Sequence, residues 1–286
     1  MVLKVISALA LAAIGAVLLI VAWPSLFGLT LAPYVAQLVA LRSLVAVIAL
    51  VAAAVTLIVA VASRRARRFA GALAVMLVAF AGLNVAVQSV RGLGGAPVPE
   101  VAAEGEWTVV AWNTLGEAVD ADLIAALALD ERADVVVLPE TRAATAEQAA
   151  ILMREGGRPM WVYTVAFDEV AAARSTSVLV SADIGQYEID DTVGNTQVLP
   201  SIVLRPLDHD GPTIIGVHPV APIPVQLDNW RADLAWLDKV CQGERIILAG
   251  DLNATPDHFA ARDNADGVGD CVSAALTNGS GAVGTW

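Results

Sequence analysis

The chain has 286 residues, of which 57% are hydrophobic and only 16% charged, with a mean hydropathy of +0.67. That excludes an intrinsically disordered chain, a collagen-like repeat and a small disulfide-stapled toxin. The formal charge of −12 averages two unlike parts: residues 1–91 hold seven bases and no acid, leaving ten bases against 29 acids, a net of −19, in 92–286.

Three stretches of the first part are long and apolar enough to cross a bilayer, which takes about 20 residues: Val5–Trp23, Ser43–Ala62 and Phe69–Val90. The first follows Lys4 as a secretory signal would, but no small-x-small cleavage site succeeds it, so an uncleaved span is expected. Arg64, Arg65, Arg67 and Arg68 form the basic cluster that the positive-inside rule places in the cytoplasm. Three spans then carry residues 92–286 to the outer side of the cell membrane. Pro24–Leu41 is itself rather apolar, and a fourth span there would reverse that placement. Pro24, Pro33, Gln37 and Arg42 favour an interfacial or re-entrant piece. The Gly/Pro-rich run Arg91–Glu100 reads as a linker. The expected organisation is an anchor over 1–91, a linker over 92–105 and a second domain over 106–286.

Beyond Glu106, short apolar runs alternate with helical patterns. Strands are expected at Trp107–Trp112, Asp134–Leu138, Trp161–Phe167, Ser177–Ser181, Val198–Leu204, Thr213–Val217 and Arg245–Ala249. Helices are expected at Asp120–Arg132, Ala144–Glu155 and Val225–Cys241; the last is the most clearly amphipathic, with Leu227, Trp230, Leu234, Leu237 and Cys241 on one stripe. So many strands suggest a sheet sandwich flanked by helices. Cys241 and Cys271 both fall in the half placed outside, where an oxidising compartment favours a disulfide over two buried thiols.

Four polar positions end strand-like runs: Asn113 after VVAW, Glu140 after VVVLP, His218 after IIGV, and Asp251 with Asn253 after IILAG. A strand that buries its body and ends in such a residue makes a rigid site. Glu140, Asp251 and the Asn113 amide are hard oxygen donors suited to Mg²⁺, with Mn²⁺ or Ca²⁺ as alternatives, rather than to zinc. A divalent ion beside a histidine and neutral donors is what phosphoester hydrolysis needs.

VVAWNTLG, VVVLPET, IIGVHPVAP and IILAGDLNATPDH, in that order, resemble successive motifs of the endonuclease/exonuclease/phosphatase superfamily, here of a membrane-anchored bacterial type. That superfamily includes pancreatic-type deoxyribonucleases, exonuclease III-like repair enzymes and neutral sphingomyelinases. The resemblance covers about Glu106–Trp286. It implies an α+β fold, a four-layer α/β/β/α sandwich behind the three-helix transmembrane anchor, and Mg²⁺ as cofactor. It places Asn113 and Glu140 at the metal, with Glu140 as main carboxylate, and His218 on the scissile phosphate. Asp251 is implied to orient the nucleophilic water or help bind metal, and Asn253 to hold a phosphate oxygen. The expected substrate is a phosphodiester or phosphomonoester, as a lipid head group, a small phosphodiester or nucleic acid; no protein partner is inferable.

The family closes on an Asp-His pair near its C-terminus. Here the chain stops at Gly284-Thr285-Trp286, where a further strand and that pair are expected. Asp257-His258 has the right letters but directly follows the GDLNATP run, and it reads as a helix N-cap and a surface histidine. The rival to a hydrolase is therefore a truncated or catalytically impaired surface protein that keeps the fold without turnover. Three further readings are local. Arg142 reads as a phosphate contact or a solvated salt bridge, Ser175–Ser177 as the start of a strand that is substrate-facing or, in the favoured reading, a plain edge strand, and His209 as a hairpin turn.

Overall fold

The computed structural model describes residues 2–94, 106–207 and 210–283. Its helices are α1 (Val2–Ala22), α2 (Val35–Ala40), α3 (Arg42–Ala62), α4 (Arg67–Arg91), α5 (Ala121–Asp130), α6 (Ala143–Glu155), α7 (Leu227–Val240), α8 (Pro256–Ala260) and α9 (Ala274–Thr277). Its strands are β1 (Val109–Ala111), β2 (Val135–Pro139), β3 (Met160–Ala166), β4 (Ser175–Ser181), β5 (Tyr187–Ile189), β6 (Ile202–Pro206), β7 (Thr213–Val217), β8 (Ile246–Gly250), β9 (Gly267–Val268) and β10 (Cys271–Val272). Two compact units result, and neither is contiguous. One comprises Met1–Pro97, Ala254–Asp266 and Ser273–Trp286; the other comprises Val98–Asn253 and Gly267–Val272.

In the first unit, three helices are long and apolar enough to cross a membrane: Lys4–Ala22, Arg42–Ala62 and Arg67–Arg91. Helices in lipid gain little from burying apolar area against each other, so small residues that let backbones approach carry the packing. Ala22, Ala46, Ala49 and Ala81 do so here around Phe80. The apolar stretch Pro24–Leu41 forms a short 3₁₀ turn (Pro24–Phe27) and α2, whose six residues are far too few to span.

The 254–266 segment contributes α8 to this unit. Arg42 donates from Nε and Nη2 to the two Asp257 oxygens, each at 2.8 Å, and from Nη1 to Ala22 O and Asn84 Oδ1. Arg91 Nη1 donates to Asp257 Oδ2 at 2.7 Å. Burial alone would raise the Asp257 carboxyl, but the hydrogen bonds and charges of Arg42 and Arg91 outweigh it and hold the group well below the usual carboxylate range. His258 is fully buried: its Nδ1 accepts from Thr255 N–H at 2.9 Å and its Nε2 lies 3.2 Å from Ala36 O. The expected cap and surface histidine are thus corrected. Thr255 caps α8 in a capping box with His258, and Asp257 is committed to two arginines.

The second unit is a sandwich. One sheet has strand order β1-β2-β4-β3, with β1 and β2 parallel and the other pairs antiparallel; the other sheet has order β5-β6-β7-β8, with β7 and β8 parallel. Side chains alternate across a strand. Val136 and Leu138 of β2 and Leu179 of β4 therefore pack under α5 and α6, against Ile124, Ala128, Ala149 and Met153. Val135, Val137, Val178 and Val180 point the other way and meet Ile202, Leu204 and Ile214 of the second sheet. All five residues of β2 are buried because both its faces are covered, as the unbroken apolar run requires. The sheets approach closely at Gly216, where a Cβ would lie 2.7 Å from Val178 and 3.2 Å from Val137 of the opposing sheet. The fourth layer is α7, with Trp230, Leu234 and Leu237 fully buried. This is the α/β/β/α sandwich, in a chain that also carries three apolar helices.

Ser175–Ser177 are not on an edge: β4 lies between β2 and β3, and all three residues are fully buried. The strand expected from Val198 begins at Ile202, since Asn195, Thr196 and Ser201 tie the preceding residues into a hydrogen-bonded loop. Cys241 and Cys271 are disulfide-bonded, with Cα atoms 5.9 Å apart. The turn expected at His209, linker residues 95–105 and the last three residues lie outside the described residues.

Candidate active site

The parallel pairs β1/β2 and β7/β8 each end in register, Ala111 opposite Val137 and Val217 opposite Gly250. The residues just beyond them form the site. Asn113 Nδ2 donates to Glu140 Oε1 at 3.1 Å and to Asp251 Oδ2 at 3.0 Å, so one amide holds a carboxylate from each sheet. His218 Nε2 lies 3.6 Å from Glu140 Oε1. Asn253 N–H donates to Asp251 Oδ1, and Asn253 Nδ2 donates to Pro219 O, both at 3.0 Å. Asn113, Glu140, His218, Asp251 and Asn253 are thereby gathered from four strand ends.

The loops that carry them are locked by geometry the sequence only hints at. Glu140 takes φ 62° and Asn253 φ 43°, left-handed conformations that side chains seldom adopt. Thr114 Oγ1 bonds Glu140 O at 2.9 Å and lies 2.9 Å from Thr141 Oγ1, while Ser177 Oγ donates to Thr141 O. That chain of buried hydroxyls fixes the Glu140 turn. Gly250, at φ 135°, has room for no side chain, since a Cβ would lie 2.2 Å from Val217 O. Asp251 N–H then donates to that same Val217 carbonyl at 3.0 Å. Trp230 Nε1 donates to Asn253 O at 3.0 Å, so the core tryptophan of α7 holds the far side of the loop.

Two supporting residues carry no sequence motif. Asp233 is fully buried and accepts from Gln197 N–H at 2.7 Å and Val220 N–H at 2.9 Å, joining the two loops that flank His218. Burial pushes its pKa up, and the two amide hydrogen bonds pull it part of the way back. Ser201 Oγ accepts from His218 N–H at 2.9 Å. A readable signal existed for Asp233: it sits on the apolar stripe of α7, three residues after Trp230 and four before Leu237. Arg142 pairs with Glu117, its Nε 2.9 Å from Glu117 Oε2, and so takes the salt-bridge role.

His218 is 1% exposed, and burial lowers its pKa against the opposing pull of the Asp251 and Glu140 charges, so the ring is held neutral. Its Nδ1 is buried with no hydrogen-bond partner among the described residues. Such an orphan is costly unless something outside the protein satisfies it.

Among the described residues no group of three or more His, Cys, Asp or Glu side chains is arranged to hold a metal ion. The donor set nevertheless fits a hard cation. Two carboxylates converge with only a neutral amide between them, and Mg²⁺ in particular is usually held by one or two carboxylates, waters and substrate oxygens. Asn113 turns its NH₂ toward the carboxylates while its Oδ1 accepts from Leu115 N–H at 2.9 Å. In this geometry it orients Glu140 and Asp251, and serving as a ligand itself would take a rotation of the amide.

Residues 110–286 match the sequence profile of the Endonuclease/Exonuclease/phosphatase family. The chain belongs to that family, whose members are hydrolases of the phosphoesterase and nuclease type. Comparison with individual curated proteins finds no match.

Proposed function

We propose that the protein is a membrane-anchored, extracytoplasmic phosphoesterase that hydrolyses a phosphodiester or phosphomonoester with a divalent cation, Mg²⁺ first and Mn²⁺ or Ca²⁺ as substitutes. The observation that carries this is the meeting of Glu140 and Asp251 on the single Asn113 amide, which concentrates negative charge with no lysine or arginine paired to either carboxylate among the described residues. Glu140 and Asp251 would hold the cation, with Asn113 setting their spacing. When bound, a cation there neutralises phosphoryl oxygens and acidifies a water. Asp251 orients the attacking water by accepting its hydrogen bond. His218, kept neutral by burial, can donate to a phosphoryl oxygen, or donate to or accept from that water, without adding a fixed charge. Asn253 offers its amide to a phosphate oxygen in exchange for the Pro219 carbonyl.

Outward placement rests on the positive-inside rule applied to Arg64, Arg65, Arg67 and Arg68. A −19 half with ten bases offers little net attraction to a polynucleotide, which favours a lipid head group or small phosphoester over DNA. The test is hydrolysis of bis-p-nitrophenyl phosphate and of supercoiled DNA by the full chain with Mg²⁺ or Mn²⁺. Turnover that vanishes in Glu140→Ala and Asp251→Ala and on chelation is expected. A folded chain with no turnover on either substrate would overturn the reading in favour of a non-catalytic surface protein. A reporter at the C-terminus exposed to the cytoplasm would overturn the placement.

A further inference from the structure

The first unit contains a cleft of about 330 Å³ where α3 begins and α4 ends. Its walls are of two kinds. Leu41, Leu44 and Val283 are apolar, whereas Ser43, Gln88 and Arg91 are polar. We propose that this cleft binds the phosphate of a membrane phospholipid with a net negative head group. No basic residue of the catalytic reading takes part, and the inference does not depend on that reading.

Charge comes first. Arg42, Arg91 and Asp257 are the charged groups at the cleft, and they sum to one net positive charge. Arg42 spends its guanidinium on Asp257, Ala22 O and Asn84, but among the described residues Arg91 gives only Nη1, to Asp257. The remaining edge of the Arg91 guanidinium is a planar set of N–H donors of the kind that matches a phosphate. Gln88 accepts from Ser43 Oγ through its Oε1 at 2.8 Å, which turns its NH₂ into a further donor beside Arg91. The first turn of α3 forms part of the wall as well, so the positive end of that helix dipole adds to the same field.

Depth comes second. Helix α3 has 21 residues, which at about 1.5 Å per residue gives roughly 30 Å, the thickness of a bilayer's hydrocarbon. The Arg42 and Arg91 end therefore lies at the boundary where lipid phosphates sit. From Leu44 an exposed apolar track runs along α3 through Val47, Ile48 and Val51, at the three- and four-residue spacing of one helix face. A head group in the cleft leaves its acyl chains on that track. A free anion would use the donors but leave the apolar walls unfilled, so the two-sided lining points to a lipid.

The test is native mass spectrometry on the full chain in detergent micelles doped with phosphatidylglycerol or phosphatidylcholine. We expect about tenfold greater retention of phosphatidylglycerol, the scale of one charge-assisted contact. Arg91→Gln should bring the two lipids to parity. Ala282→Trp, which fills the cleft while leaving both arginines in the chain, should do the same, and it decides the matter if Arg91→Gln unfolds. Glu140→Ala should retain lipid as the parent does, which separates this proposal from the catalytic one. Equal retention of both lipids by the parent, or undiminished selectivity in Ala282→Trp, would overturn the proposal. So would displacement of phosphatidylglycerol by inorganic phosphate at concentrations matching those of competing lipid.

Discussion

Asp251 and Asp257 stand six residues apart, in different units, and are treated in opposite ways. Asp257 receives three N–H donors from two arginines and is electrically satisfied. Asp251 receives neutral amides and shares one of them with a second carboxylate. The two buried histidines repeat the contrast. His258 has a partner at each ring nitrogen, whereas His218 has an unmatched Nδ1 and faces Glu140. Burial and acidity are common to both pairs, so neither identifies a functional group. What separates a group held for chemistry from one held for structure is whether its charge and hydrogen-bonding capacity have been used up.

Exchanging the satisfied state for the unsatisfied one would break the comparison most directly. Glu140→Ala or Asp251→Ala should lower turnover of bis-p-nitrophenyl phosphate by about 10²–10³-fold or more with the far-ultraviolet circular dichroism unchanged. Asp257→Ala should instead act on folding. It strands the buried Arg42 guanidinium, and an uncompensated buried charge costs about 3–5 kcal/mol, to be read from denaturation of the full chain in detergent. If Asp257→Ala proved neutral for stability, the structural half of the comparison would fail.

Acid should then sharpen the histidine contrast. Burial takes His258 from the ordinary 6.5 down to about 4, with the Ala36 hydrogen bond opposing in part. A group with a depressed basic pKa binds fewer protons folded than unfolded, so its contribution is fully present above about pH 6.5 and is lost as pH falls toward 4. The melting temperature of the parent should drop across that window, and that of His258→Gln should drop less. Smallest is the support behind the site: Trp230→Phe removes the hydrogen bond to Asn253 O and should cost about 1 kcal/mol, visible in chemical denaturation.

The layers of the second unit were legible because burial on both faces leaves a plain mark. The unbroken DVVVL run could only be an interior strand, and the stripe Leu227, Trp230, Leu234 and Leu237 could only be a covering helix. The candidate site was legible for a related reason, since four strands ended in polar residues. What escaped was set by tertiary partners. The three residues of β5 and the two each of β9 and β10 are too short to show a period. Ser175–Ser177 look like a polar edge, yet all three are buried: the Ser177 hydroxyl bonds Thr141 and Thr164 beneath the Glu140 turn, and the Thr176 hydroxyl donates to Pro200 O. Nothing in the letters around Asp257-His258 reveals that Arg42 and Arg91, 215 and 166 residues away, complete them.

The chain passes between its two units four times, after residues 97, 253, 266 and 272. Neither unit is therefore a single stretch of gene. A recombination event that moved residues 98–286 onto other apolar helices would carry α8 along, with an aspartate shaped for two arginines left behind. Exchange of the apolar helices would need matching changes in α8. Inheritance of those helices and the sandwich as one block is the simpler course.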